Sequence, residues 1–352
     1  MGPIETVRRI RSCGLLLLVL VCGCWSRSGP EVVVYTALDE EFSAPVLEGF
    51  TADSGIAARM KTDIESTKTV GLTEAILAEG DRPRCDVFWN NEILNTIRLE
   101  RAGLLEPFSP DTSAESTHDG AARPETARFD SSNRTWYGFA ARARVLLVNT
   151  ERVPEADRPR SVRDLADPRW RGQIGLAKPL FGTTTTHAAC LFAAWGDEQA
   201  KAFFEQLKDN QCQILSGNKQ VALSVGAGRL AFGLTDTDDA LAEIEQRRPV
   251  AIVYPDQGPG GLGTLVIPNT VAVIRGGPHP GAARRLAAYL LSPQVEEKLA
   301  AGTSGQIPIR SGAAAPARLG LPKQFKTMDV DFSAAADRWD ATAAWLREHF
   351  VN

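Results

Sequence analysis

An α/β fold in two lobes, joined by a hinge of crossing strands, is what this 352-residue sequence predicts. Three observations carry the prediction. Short β-branched runs alternate with helical patterns along the chain, an arrangement that gives a mostly parallel sheet covered by helices. The length supplies two cores at roughly 100 to 200 residues per domain. Two apolar extended segments late in the chain lead back to its first half, so the backbone crosses between lobes more than once.

The elements follow in order. Residues 31–36 form a first strand ending in the polar stretch 37–41, and a helix runs on through Phe50. A helix over 67–79 reaches the breaker Gly80-Asp-Arg-Pro83, the strand 85–89 follows, and Asn90-Asn91 opens a helix over 93–101. Residues 136–149 are one long extended segment whose buried part is Val145-Leu-Leu-Val148. Pro154, Pro159 and Pro168 then punctuate the chain, and residues 174–177 begin a second α/β series. Gly182-Thr-Thr-Thr-Thr-His187 precedes a helix over 188–194. The strand 230–234 ends in the loop Thr235-Asp-Thr-Asp-Asp239 before a helix over 240–246, and the strand 251–254 ends in the glycine-rich loop 258–263. Strands 264–267 and 270–274 return to the first lobe, helices follow over 280–291 and 294–301, and the tail 313–352 reads as helical and surface-packed. The predicted organisation is a leader over 1–23, a tether over 24–30 and a first lobe over 31–140. A second lobe then spans 141–262, with a return to the first over 263–301 and a C-terminal helical segment over 302–352.

The leader has its own chemistry. Arg8, Arg9 and Arg11 precede an apolar run from Gly14 to Gly23, a pattern of export signals, and that run is far shorter than the roughly 20 residues needed to span a bilayer. Val21-Cys-Gly-Cys24 resembles the bacterial lipobox, which implies acylation of Cys24, a lipid anchor, and work in the periplasm or on the outer face of the cell membrane. An ordinary cleaved secretory signal is the alternative. The formal net charge of −4, without a basic stripe, argues against a nucleic-acid partner. Cys85, Cys190 and Cys212 lack the paired spacing of a structural zinc site, and Cys190 with Cys212 either form a disulfide or stay free. His118, His187, His279 and His349 are scattered, and no Gly-x-Ser-x-Gly or His-Glu-x-x-His element suggests an enzyme.

Ligands of open α/β sheets sit at the carboxyl ends of strands, which makes Thr36, Asp39, Asn90 and Asn91 candidate ligand groups. Gly182, Thr183, Thr184 and Thr185 offer hydroxyls and backbone N–H groups at a helix N-terminus, suited to an anion. A threonine-rich cap is the other reading. Arg142 and Arg144 alternate onto one strand face, where a guanidinium would grip an oxyanion or form surface salt bridges. Asp236, Thr237, Asp238 and Asp239 suggest a cation site at Asp236, with one of the other aspartates capping the next helix. Trp89 either walls the cleft or joins the core.

The order of Val34-Tyr-Thr36, Asp86-Val-Phe-Trp89, Gly138-Phe-Ala-Ala-Arg-Ala-Arg-Val-Leu-Leu-Val-Asn149, Ser216-Gly-Asn218, residues 226–236 and Ser292-Pro-Gln-Val-Glu296 resembles the bacterial ferric-binding group of ABC-transporter periplasmic solute-binding proteins. The resemblance implies a type II periplasmic binding-protein fold, a monomer that closes on a small guest and hands it to an inner-membrane ABC permease. It implies Fe³⁺ as cargo with a synergistic anion held by residues 182–187 and Asn218, and no resident cofactor. Asp236, Asp238 and Glu92 then stand as candidate metal ligands. The adjacent tyrosine pair of the group is missing: its position reads Thr235-Asp-Thr-Asp-Asp239, and the four tyrosines are 35, 137, 254 and 289. A carboxylate ligand common in the group falls on Asn91, next to Glu92. A small organic oxyanion such as an aminophosphonate is the alternative guest.

Overall fold

The computed structural model describes residues 2, 29–63, 70–110 and 127–351. The leader, Cys24, most of the tether, the predicted start of the second helix and His118 lie outside the described residues. β1 (Glu31–Thr36) runs into α1 (Glu40–Ser54), then β2 (Ala57–Thr62), α2 (Val70–Glu79), β3 (Val87–Asn90), α3 (Leu94–Arg101) and the short β4 (Leu105–Glu106). α1 starts with Glu40 and Glu41 at the positive end of its dipole and stops at Gly55, whose φ of 70° closes a bond to the Thr51 carbonyl. β5 (Trp136–Asn149) is buried along its whole length.

Next come β6 (Ile174–Ala177), α4 (Gly182–Trp195), α5 (Asp197–Asp209), β7 (Gln213–Leu215), α6 (Asn218–Gly226), β8 (Phe232–Asp236), α7 (Thr237–Glu245) and β9 (Val250–Val253). β10 (Val266–Ile274), α8 (Pro280–Leu290), α9 (Pro293–Ala301) and α10 (Phe332–Leu346) complete the chain. The strands join in the order β2-β1-β3-β10-β5-β8-β6-β7, with β4 on β10 and β9 on β5. β5 is the shared strand. Its first part, Trp136 to Ala143, pairs antiparallel with β10, and from Arg144 onward it pairs with β8 and β9. Two lobes therefore hang on one strand.

Each lobe has its own apolar cluster. Val34, Phe50, Trp89, Phe139 and Leu286 pack in the first, and Trp170, Phe192, Phe204 and Phe232 in the second. Trp89, its ring tilted against that of Phe139 with centroids 5.8 Å apart, belongs to that first core and not to a cleft wall. A third cluster bridges the lobes through Val145, Cys190, Ile267 and Trp339.

Several expectations are corrected. The return is a single strand, β10, irregular only between Pro268 and Asn269. The helix expected from Ala188 begins at Gly182, so the threonines form its first turns. Cys190 and Cys212 are free; Cys190 is buried in the bridging cluster while Cys212 packs against the second-lobe cluster, so the disulfide alternative falls. The tail is not simply helical and surface-packed: residues 302–331 are mostly irregular, and α10 buries Phe332, Ala336, Trp339 and Leu346 against α4 and α3. Composition could not show this, because the alanine-rich face that lets helices approach closely looks the same facing water.

The hinge bends at Ala140, whose φ of 38° is unusual for a residue with a Cβ. Neighbouring groups hold it there. The buried Glu296 carboxylate accepts N–H groups from Ala140 at 2.7 Å, Ile309 at 2.8 Å and Arg310 at 2.9 Å, and also from Ser311. Ile307 bridges Ala141 alongside. Removing that carboxylate strands several backbone donors in the interior, so Glu296→Ala should destabilise the fold by on the order of 3 kcal/mol in urea unfolding. A loss below about 1 kcal/mol would mean that the hinge donors find other acceptors.

Candidate functional site

Helix N-termini and strand ends meet in a cleft of about 290 Å³ between the lobes. The first lobe supplies Asp39, Glu40, Glu41 and Asn91; the second supplies Arg142, Lys178, Gly182, Thr183, Thr184, Asn218, Asp236, Asp238 and Asp239. Antiparallel register sets Arg144 of β5 opposite Asp236 of β8, and Arg142 lies on the same face two residues earlier.

The result is a buried charge network. Arg144 Nη1 donates to Asp236 Oδ1 at 2.8 Å and to Asn218 Oδ1 at 3.0 Å, and Nη2 donates to the Thr184 hydroxyl at 3.2 Å. Asp236 Oδ2 accepts from the Thr183 hydroxyl at 2.6 Å and from Asn218 Nδ2 at 3.0 Å. Arg142 Nη1 donates to Asp238 Oδ2 at 3.1 Å, and Nη2 reaches across to the Asn91 carbonyl at 2.5 Å. Burial alone would raise the Asp236 carboxyl, yet Arg144 and Arg142 hold it below the ordinary carboxylate range. Burial works against charge on Arg142 as well, and Asp238 and Asp236 outweigh it, leaving the guanidinium charged.

Two buried atoms in the cleft lining have no protein partner: Arg142 Nε and Asn91 Oδ1. Buried polar groups are normally paired, so a donor and an acceptor left open beside an empty volume mark a place for a polar guest. Gly182 has a φ of 56°, which turns the chain into α4 with the first-turn N–H groups at the cleft. The threonines do not act as a cap. The N-cap residue of α4, Phe181, makes no side-chain cap bond, and the Thr183 and Thr184 hydroxyls bond to Asp236 and Asn218. Asp236 is itself the N-cap of α7 but makes no cap bond, because its oxygens serve Arg144, Thr183 and Asn218. Asp238 and Asp239 fall in the first turn of α7, and the three carboxylates offer oxygens within 4.8 Å of one another.

Other sequence-predicted residues point elsewhere. The Thr36 hydroxyl accepts the Leu38 N–H, and the Thr237 hydroxyl accepts the Ala143 N–H. Thr185 is buried off the cleft lining. Asn90 donates to Glu92, and Glu92 accepts the Leu94 and Asn95 N–H groups at the start of α3. Glu92 is thus a helix-terminal acceptor, set back from the three aspartates. Sequence reasoning missed Lys178 and Lys219. Lys178 follows the carboxyl end of β6, where the strand-end rule would have found it, whereas Lys219 stands on α6, a helix the hydrophobic pattern did not reveal.

His187 lies behind the network in α4. Burial, with Arg144 nearby, depresses its imidazole to about 3, and its Nδ1 has no partner. The unfolded chain binds this proton near pH 6.5 and the folded chain only near pH 3, so stability is lost as pH falls from 6.5 toward 3. Between pH 6.5 and 5 that loss is about 2 kcal/mol for one such group. His187→Gln should flatten the pH dependence of urea unfolding by this amount, and equal slopes in the two proteins would contradict it.

A profile described as "Bacterial extracellular solute-binding protein" matches residues 97–336. The Fe(3+)-binding periplasmic protein of Serratia marcescens is 24% identical over 334 residues, spanning 92% of this chain and 94% of the relative. Iron-bound HitA from Pseudomonas aeruginosa superposes with a TM-score of 0.75 at 24% identity, covering 90% of this chain and 99% of that one. A Trichodesmium protein (IdiA, FutA) in complex with iron and citrate ligands gives 0.72 at 20% identity, covering 91% and 99%. At such identities the solved structures establish a shared fold, the two-lobed arrangement built on β5 and β10. Together with the profile match across most of the chain, they place this protein in the bacterial extracellular solute-binding family.

Proposed function

We propose that the protein is the extracytoplasmic receptor of an ABC importer, which captures ferric iron together with a synergistic oxyanion and passes it to the permease. One observation carries the reading: the Asp236, Asp238 and Asp239 carboxylates lie beside an anion cradle made of the α4 N-terminus, Thr183, Thr184 and Arg142. Hard Fe³⁺ selects oxygen donors. None of the four tyrosines lines the cleft, so the iron brings part of its coordination with it as an oxyanion complex. The oxyanion accepts from the α4 N–H groups and Arg142 Nε, while open faces of the metal meet Asp238 and Asp239 from one lobe and Asp39 from the other. The names of the relatives support the metal, and the cleft volume of about 290 Å³ leaves room for more than a bare ion.

Closure is the mechanism: groups on both lobes contact the guest at once only in the shut state. Glu41 and Lys219 already face each other at 3.8 Å across the mouth. No helix among the described residues is long and apolar enough to cross a membrane, and the acylated Cys24 would tether a monomeric receptor beside its permease.

A small organic oxyanion such as an aminophosphonate is the second reading. It is favoured by the internal neutralisation of Asp236 by Arg144 and of Asp238 by Arg142.

Isothermal titration of the intact protein with ferric citrate and with 2-aminoethylphosphonate separates the two. Heat with ferric citrate supports iron; heat with the phosphonate alone removes it. Asp39→Asn and Asp239→Asn, at partly exposed positions, should each weaken ferric citrate binding about tenfold, or 1.4 kcal/mol, with little change in melting temperature. Unchanged affinity in both would displace the metal from this wall.

A further inference from the structure

Glu92 is fully buried and accepts four hydrogen bonds. Three come from its own lobe: Asn90 Nδ2 at 2.8 Å, the Leu94 N–H at 2.7 Å and the Asn95 N–H at 3.0 Å. The fourth crosses to the other lobe, where the Thr186 hydroxyl of α4 donates to Glu92 Oε2 at 2.8 Å. Thr186 is itself fully buried, and among the described residues its hydroxyl bonds to Glu92 alone. The backbone behind Glu92 is fastened to the hinge, since Thr270 of β10 bonds the Thr96 hydroxyl at 2.7 Å and reaches the Glu92 carbonyl at 3.4 Å.

We propose that the Glu92–Thr186 hydrogen bond is the pivot contact between the lobes, and that Glu92 is a positioning residue for the anion-binding end of α4. The geometry gives the reason. Thr186 stands within one turn of Gly182, Thr183 and Thr184, so fixing it fixes the direction in which the first-turn N–H groups of α4 point. A contact buried behind the cleft, beside the hinge strand, moves little when the lobes rotate, whereas the exposed Glu41–Lys219 pair at the mouth must part. Glu92 is held by α3 N–H groups and is not free to swing, which makes it a rigid reference for the opposite lobe. An acceptor of this kind, buried and charged, is costly to leave short of a donor. The adjacent Arg142 to Asn91 bond fastens the second lobe to the same two-residue stretch.

The test compares Thr186→Val, which keeps shape and removes the donor, with Thr186→Ser, which keeps the donor. Small-angle scattering of the ligand-free protein reads lobe opening, and calorimetric titration with ferric citrate and with inorganic phosphate reads binding. Thr186→Val should enlarge the ligand-free radius of gyration and weaken whichever probe binds by about tenfold, the factor for one lost hydrogen bond near 1.4 kcal/mol. Thr186→Ser should restore both. If Thr186→Val does not accumulate as folded protein, Glu92→Gln takes its place, with the same expansion expected. Scattering and affinity like the wild type in the valine variant overturn the pivot. So does a serine variant as defective as valine, which would assign the effect to packing of the methyl group. The binding arm rests on the solute-binding reading, but the scattering arm does not: failure of both probes on the wild type removes the guest, and the ligand-free profiles still decide the pivot.

Discussion

Four charges buried in a space that excludes water constrain everything around them. Arg142, Arg144, Asp236 and Asp238 are each almost inaccessible, and ions taken out of water need close partners to repay lost hydration. Arg144 and Asp236 find each other because strand register places them opposite, and the hydroxyl and amide groups of Thr183, Thr184 and Asn218 fill their remaining directions. Any shift of β5 against β8 would separate the pair. The network therefore pins the sheet of the second lobe, the start of α4 and the start of α6 to a single point.

That point decides what the cleft can offer. Asp236 belongs to the group of three carboxylates, and its oxygens also accept three bonds that orient Arg144, Thr183 and Asn218. Asp239 and Asp39 are less enclosed and stand at the edges. Arg142 is divided: one nitrogen holds Asp238, another holds the opposite lobe, and Nε is left to the cleft. A single guanidinium thus serves stability and lobe contact together and leaves a donor for the proposed guest, a combination that a lysine point charge could not supply.

The alternation of elements was legible because buried strands are β-branched runs bounded by turn residues. β5 appears in the structure over the same residues, 136–149, that the pattern marks, since all but its final Asn149 are apolar, aromatic, small or one of the two network arginines. The strand-end rule led to Asp39, Asn91 and Asp236, and strand alternation led to Arg142, all of which reach the cleft lining. The strand-end rule failed for Thr36 and Thr237, which are equally near strand ends but turn toward backbone donors. Sequence gives the position of a polar residue and not the competition for its oxygens. α6 was obscure for another reason: its buried residues are Val221, Ala222, Ser224, Val225 and Gly226, a mix of small and polar side chains with only two valines, which leaves no clear apolar stripe to read.

No phenolate lines the cleft among the described residues. A ferric ion in a site of neutralised carboxylates would face guanidinium groups within the same network, and those repel a bare trivalent cation unless anions intervene. In the proposed reading, an oxyanion on Arg142 and the α4 N-terminus would remove that repulsion before the metal arrives and would supply donors that the side chains do not. Anion first, or anion and metal together, is then the order the electrostatics permit. The lips agree with it: Lys178 and Lys219 on one side and Asp39, Glu40 and Glu41 on the other present opposite signs to the two ends of such a complex. A guest with its charges separated in this way meets attraction from both lobes and favours the closed state, whereas a lone cation or a lone anion is drawn to only one of them.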